Sequence, residues 1–294
     1  MLKTPRPLVL ASLAVAAVVA AGCAPTDEAP DAKDTSSAAP SDAALECTPD
    51  TLELTTPGTL TVGTDSPAYS PWFVDDDPSN GEGYESAVAY AIADELGFSA
   101  DEVTWVTVGF NKAVSPGPKD FDFDINQISI TEERREAVDF SSGYYDVRQT
   151  VITNEGSAID GASSIADLAD AKLGAQVGTT SYDAIAEQIA PSQDTAVFDT
   201  NDQAVQALKN GQIDGIVVDL PTAYFMTAVQ LDKGVIVGQL PLPGGEGEQF
   251  GAVLDKGSPL TACVSQAVDT LRENGTLDQL VDEWLSQQGA PELS

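Results

Sequence analysis

The sequence predicts an α/β protein of two lobes, and three observations predict it. From Thr59 onward, short apolar runs alternate with amphipathic helical patterns, the signature of parallel sheets covered by helices on both faces. The alternation comes in two successive series. A chain of 294 residues with 42% apolar content, 24 Gly and 18 Pro reads as globular and has room for two ordinary domains.

In order, TLTVGT (59–64) and VTWVTV (103–108) read as strands. Between them GYESAVAYAIADELG places Val88, Ala91, Ile92 and Leu96 on one helical face and ends at Gly97, which makes a βαβ unit. FDINQIS (123–129) is a further strand, TEERREAVD a short helix, and YYDVRQTVIT (144–153) an extended segment. The second series runs helix SSIADLADAK, strand KLGAQVG, helix TSYDAIAEQIA, strand AVFD, helix DQAVQALKNGQI, strand GIVVD and helix LPTAYFMTAVQLDK. QFGAVLD (249–255) is a last strand, and residues 258–287 are helical with a break at Asn274-Gly275. Sheets of this kind present ligands at the carboxyl ends of their strands.

Composition excludes whole classes of chemistry. With no His, there is no Ser-His-Asp or Cys-His pair, no HExxH zinc site and no histidine base. A formal net charge of −34 argues against nucleic acid, whose phosphate backbone such a surface repels. The acidic run DDDPSNGEGYE fails as a calcium loop in either register: starting at Asp75 the glycine position holds Asn80, and starting at Asp76 the third position holds Pro78. No metal site is expected.

Residues 1–22 carry Lys3 and Arg6 and then an apolar run from Leu8 to Ala21, the pattern of an export signal. Cys23 after Gly22 resembles the lipobox of bacterial lipoproteins, in which that cysteine is acylated; Ala20 stands where Leu is usual. Residues 23–46 are small, polar and Pro-rich and read as a flexible tether. In an exported chain, Cys47 and Cys263 meet an oxidising setting that favours pairing, against the alternative of two separate buried thiols. A bond between them would place the last helices on the first lobe and make the chain cross between lobes twice, as a hinge.

Several blocks carry a family resemblance: VGTDSPAYSPW, SITEERREAVDFSSGYY, VGTTSY and GIVVDLPTA. In their order and spacing the chain resembles the substrate-binding proteins of amino-acid ABC importers, the bacterial solute-binding proteins of family 3. That resemblance implies a two-lobe periplasmic-binding-protein-like fold of type II with two hinge strands near residues 146–148 and 243–248. Lobe 1 would hold residues 47–146 plus 246–294, and lobe 2 residues 147–245. It implies a monomer that binds a free polar amino acid without a cofactor. Fixed by Cys23 to the extracytoplasmic side of the cell membrane, it would serve an ABC permease.

An α-amino acid needs a cation for its carboxylate, an acid for its ammonium and a pocket for its side chain. The resemblance assigns Arg134 as the carboxylate clamp, the fork of guanidinium donors matching two carboxylate oxygens. Ser129 and the Thr179-Thr180 pair before a helix support the same group, and Asp219 receives the ammonium; read alone, Asp219 is equally an N-cap for the helix at Leu220-Pro221. Asp65 faces a distal amine or amide, Tyr69 stacks on the ligand, and Trp72 serves as wall or core. Asn126 and Gln127 depart from the small residues common before SIT and make the pocket more polar, so a cationic and an amide side chain remain equal candidates. The helix opening GYESA departs too, keeping Glu85 but holding Ala87 in place of a second acid. The alternatives in function are a carboxylate-dependent enzyme on the same scaffold and an amino-acid-sensing receptor.

Overall fold

The computed structural model describes residues 46–242, 247–285 and 289–294. The leader, Cys23 and, apart from Glu46, the tether lie outside the described residues, as do residues 243–246 of the second expected crossing.

Two five-stranded sheets organise the chain. In the first, β1 (Leu60–Thr64) is flanked in parallel by β2 (Val103–Thr107) and by the two-residue β3 (Phe123–Asp124). β10 (Glu248–Leu254) then joins β3 and β4 (Asp139–Val147), antiparallel to both. The second sheet runs β7 (Ala196–Phe198), β6 (Leu173–Gln176), β8 (Gly215–Asp219), β5 (Gln149–Asn154) and β9 (Gly234–Gln239), with β5 antiparallel to both neighbours. The sheets are therefore mixed rather than all-parallel: β4 and β5 pass from one sheet to the other through Arg148 alone.

Helices α1 (Tyr84–Glu95), α7 (Thr261–Glu273) and α8 (Thr276–Trp284) cover the first sheet. Val88, Ile92 and Leu96 are buried as expected, Ala91 is partly buried, and Gly97 ends the helix at φ +85°. Short α2 (Phe110–Val114) and α3 (Glu132–Ala137) lie on the other face. The second sheet carries α4 (Thr180–Ala184), α5 (Asn201–Lys209) and α6 (Leu220–Phe225), with α4 and α6 widening into π turns at Ile185–Ile189 and Met226–Gln230. Its two faces bury separate cores: along β5, Val151 joins one and Ile152 the other, the period of two that a strand imposes.

Four expectations are corrected. FDINQIS pairs as a strand only at Phe123–Asp124; the chain then turns at Gln127, φ +46°, and rejoins the sheet at a Ser129–Phe250 bridge. SSIADLADAK forms one turn, Ile165–Leu168, closed by a Ser164–Asp167 capping box. GVIVGQ, read as no element, is edge strand β9, which its antiparallel pairing removes from the strand-helix alternation. The tail 289–294, expected on the first lobe, lies against the second sheet. There Leu293 is buried with Val237 and Leu240, and Gln239 exchanges backbone bonds with Pro291 and Leu293. Cys47 and Cys263 are bonded, their Cα atoms 5.4 Å apart, and this fixes the start of the domain to α7.

Candidate functional site

The carboxyl ends of β1, β3, β6 and β8 converge on one cavity of about 410 Å³ between the sheets, as the geometry of such sheets requires. Asp65, Tyr69, Trp72, Asn126, Gln127, Ser129, Arg134, Thr179, Thr180 and Asp219 all line it. The structure thus brings the ten residues expected to bind the ligand onto a single surface.

Arg134 reaches the cavity from α3, where Thr131 caps the helix by accepting the Arg134 backbone N–H. Its guanidinium donates to the carbonyls of Ser129 at 2.6 Å and of Gly178 at 2.9 Å, the second across the cleft, and stacks over Phe110 at 5.3 Å. Among the described residues it forms no ion pair. Burial pushes it down from the usual arginine range, against the opposing field of Glu248. Two of its five donors are thereby engaged by carbonyls and the rest are free to meet an anion.

Asp219 ends β8 and is the N-cap that the sequence offered as one of its two readings. It caps α6, accepting the Thr222 N–H at 3.0 Å, and it lines the cavity. Desolvation raises its carboxyl to about 6. Thr179, not Thr180, caps α4. The Thr180 hydroxyl lies 3.2 Å from that of Ser129 on the opposite lobe and donates to Glu248.

At the other end, Asp65 accepts backbone N–H groups from Ser66 at 2.7 Å and Phe110 at 3.2 Å. The Tyr69 hydroxyl donates across the cleft to Asp202 at 2.6 Å, and its ring lies 5.9 Å from that of Phe225. Trp72 is both core and wall: it packs edge-on against Tyr84, Tyr145 and Phe250 while its indole N–H donates to Thr222 across the cleft at 2.9 Å. The lobes are thus closed on one another. Asn126 is 7% exposed, and its side-chain N–H₂ is buried without a hydrogen-bond partner among the described residues.

Sequence reasoning missed Phe110, Gln149, Asp202, Phe225 and Glu248. Phe110 had a signal, since it follows β2 as Asp65 follows β1. Gln149 and Glu248 open β5 and β10 and meet at 3.2 Å, Gln149 also accepting from Ser181; only the folded sheets bring them together. The charged lining is Asp65, Asp199, Asp202 and Asp219 against Lys112 and Arg134.

This fold and cleft define a two-lobed binding protein. The profile of the bacterial extracellular solute-binding proteins, family 3, matches residues 60–287, and the chain belongs to that family. A probable histidine-binding protein of Campylobacter jejuni is 30% identical over 79% of this chain and 87% of its own. Among solved structures, an ancestral amino-acid-binding protein, a precursor of cyclohexadienyl dehydratase, is 32% identical with TM-score 0.62 over 78% of this chain and 95% of its own. An ancestral arginine-binding protein bound to glutamine is 29% identical with TM-score 0.64, covering 79% of this chain and all of that one. The two-lobe, periplasmic-binding-protein-like α/β fold expected from the sequence is the fold of the protein. No helix among the described residues is long and apolar enough to cross a membrane.

Proposed function

We propose that this protein is a monomeric extracytoplasmic receptor that captures a polar amino acid between its lobes and delivers it to an ABC permease. In this reading Cys23 holds it to the membrane by a lipid, residues 23–46 are the tether, and no cofactor takes part. One observation carries the proposal: a partly buried cation, Arg134, and a desolvated acid, Asp219, line one cavity from opposite lobes. That is the charge pattern complementary to a zwitterion. Arg134, Ser129 and Thr180 hold the carboxylate, and Asp219 the ammonium. Because the partners are divided between lobes, ligand favours closure through its higher affinity for the closed state. The crossing through Arg148, between β4 and β5, serves as a hinge segment.

With those ends assigned, Asp65, Asp199 and Asp202 remain for the ligand side chain, against Lys112, and the rings of Tyr69, Phe110 and Phe225 line the same cavity. The charge of these acids favours a cationic side chain, and aromatic faces add to the attraction of a guanidinium. Thermal-shift and calorimetric titration of the twenty amino acids tests this. L-arginine or L-lysine is expected to raise the melting temperature most, by mass action. A response to L-glutamine alone would transfer the assignment to the amide class, and no response to any amino acid would reject the receptor reading.

A second reading, an enzyme on the same scaffold, rests on the ancestral relative's description as the precursor of a dehydratase. It rests also on Asp219, whose carboxyl at about 6 suits proton transfer. Turnover of a bound ligand would establish it.

Export would also place Cys47 and Cys263 where their bond forms and persists. Cys263→Ser is then expected to lower stability by about 2–4 kcal/mol, since the bond closes a long loop in the unfolded chain. Urea unfolding with and without reductant measures it, and the reductant should affect only the unmutated protein.

A further inference from the structure

Glu85 is fully buried in the first turn of α1 and is not part of the cavity wall. Three donors converge on its carboxylate. The Gln127 backbone N–H reaches Oε1 at 2.6 Å, the Gln127 side-chain amide reaches Oε2, and the Tyr144 hydroxyl reaches Oε1. The residue held in this way has φ +46°, a left-handed conformation that a side chain with a Cβ adopts only when its surroundings enforce it. It also interrupts the strand expected over residues 123–129, and it stands in the cavity wall between Asn126 and Ser129.

We propose that Glu85 is a positioning residue for ligand binding: by gripping both the backbone N–H and the side-chain amide of Gln127, it locks the left-handed turn that sets Asn126, Gln127 and Ser129 in the cleft wall. The proposal rests on the amino-acid-binding reading of that cleft. Released from Glu85, the segment relaxes toward the extended path its sequence favours. Successive side chains of an extended chain face opposite ways, so relaxation redirects Asn126 and Gln127 together. An ionised carboxylate suits this role because it is acceptor-only and can receive all three donors at once. A protonated one carries an O–H that competes with them. Burial raises Glu85 to about 7. The charged and titratable groups around it are Asp124 on β3, Tyr144 on β4, Asp219 on β8 and Tyr84 on α1 itself.

The test is a cycle of Glu85→Gln, Gln127→Gly and the double variant, each titrated calorimetrically at pH 8 with L-arginine and with L-glutamine. Glu85→Gln keeps the volume but replaces one acceptor with a donor, and it is expected to weaken binding about tenfold or more. Gly adopts the left-handed region freely, so the double variant should bind like Gln127→Gly alone. Wild-type affinity should also weaken as pH falls through about 7, and Gln127→Gly should remove that step while leaving any step near 6 due to Asp219. Full-strength binding by Glu85→Gln overturns the proposal. So does a double variant that binds more weakly than Gln127→Gly by the factor that Glu85→Gln costs the wild type, or a pH step near 7 that survives Gln127→Gly. Absence of amino-acid binding by the wild type would instead reject the reading of the cleft, and the proposal with it.

Discussion

Arg134→Ala is expected to abolish detectable amino-acid binding while the protein stays folded. The ligand carboxylate would enter a desolvated cleft without its cation, at a cost of about 3 kcal/mol or more, over a hundredfold in affinity. The fold has less at stake. Arg134 belongs to a six-residue helix capped by Thr131, and its side chain contributes two bonds to carbonyls and a contact with Phe110. A modest fall in melting temperature is expected, with an unchanged circular-dichroism spectrum. Arg134→Lys separates charge from geometry: the ammonium keeps the charge but loses the planar fork and the stacking on Phe110, so it should recover only part of the affinity. An unchanged dissociation constant in Arg134→Ala would show that the cation serves the closed lobes, through its bond to Gly178, and not the ligand.

The contrast between Arg134 and Glu85 shows what could be read from the sequence. Arg134 sits in a linear motif with Ser129 and Thr131, so its neighbours in sequence are its neighbours in space. Asp219 was legible because an acid that closes an apolar strand must emerge at the carboxyl edge of a sheet. Glu85 was visible only as what remained of a departed signature. Its work is done through Gln127, forty-two residues away, and through a backbone angle that residue type does not announce. The same angle explains why FDINQIS was read as one long strand: alternation predicts a ladder, and a buried carboxylate that captures the N–H ends it. β9 escaped for a different reason. Reading strand and helix in alternation assigns parallel pairs, and an antiparallel edge strand lies outside that rule. The tail around Leu293 was assigned to the wrong lobe because a single buried leucine at a chain end has no period from which a face could be inferred.

Asp219→Asn is expected to weaken binding strongly and to remove a pH dependence with opposite signs for ligand and for fold. Asn caps a helix about as well as Asp, so α6 should hold and the variant should melt near the wild type at pH 8. Affinity should fall by a factor on the order of a hundred, because the ligand ammonium would lose its carboxylate in a desolvated site. In the wild type the carboxyl titrates at about 6, raised from 3.8 by desolvation. Ligand binds the ionised form, so the Asp219 contribution to wild-type affinity is constant well above pH 6 and weakens by up to tenfold per unit below it. Binding near pH 6 should then release a proton, measurable as a calorimetric enthalpy that changes with the ionisation enthalpy of the buffer. For the ligand-free fold the sign reverses. A raised carboxyl holds its proton more tightly folded than unfolded, so this group favours the fold at low pH and loses that contribution as pH rises from about 4 to 6. Glu85, raised from 4.5 to about 7, acts in the same direction over a slightly higher window. The acids held below their usual range, Asp77 by Ser79, Glu102 by Ser99, Asp139 beside Lys256 and Asp167 in its capping box, oppose this only at lower pH, where their bonds are lost. The ligand-free protein should accordingly melt highest in mild acid, and the ligand should bind best at neutral pH or above. In Asp219→Asn the affinity step near pH 6 should be gone. If that step persisted, the proton would belong to another group and the ammonium would need a different partner among the acids of the cleft.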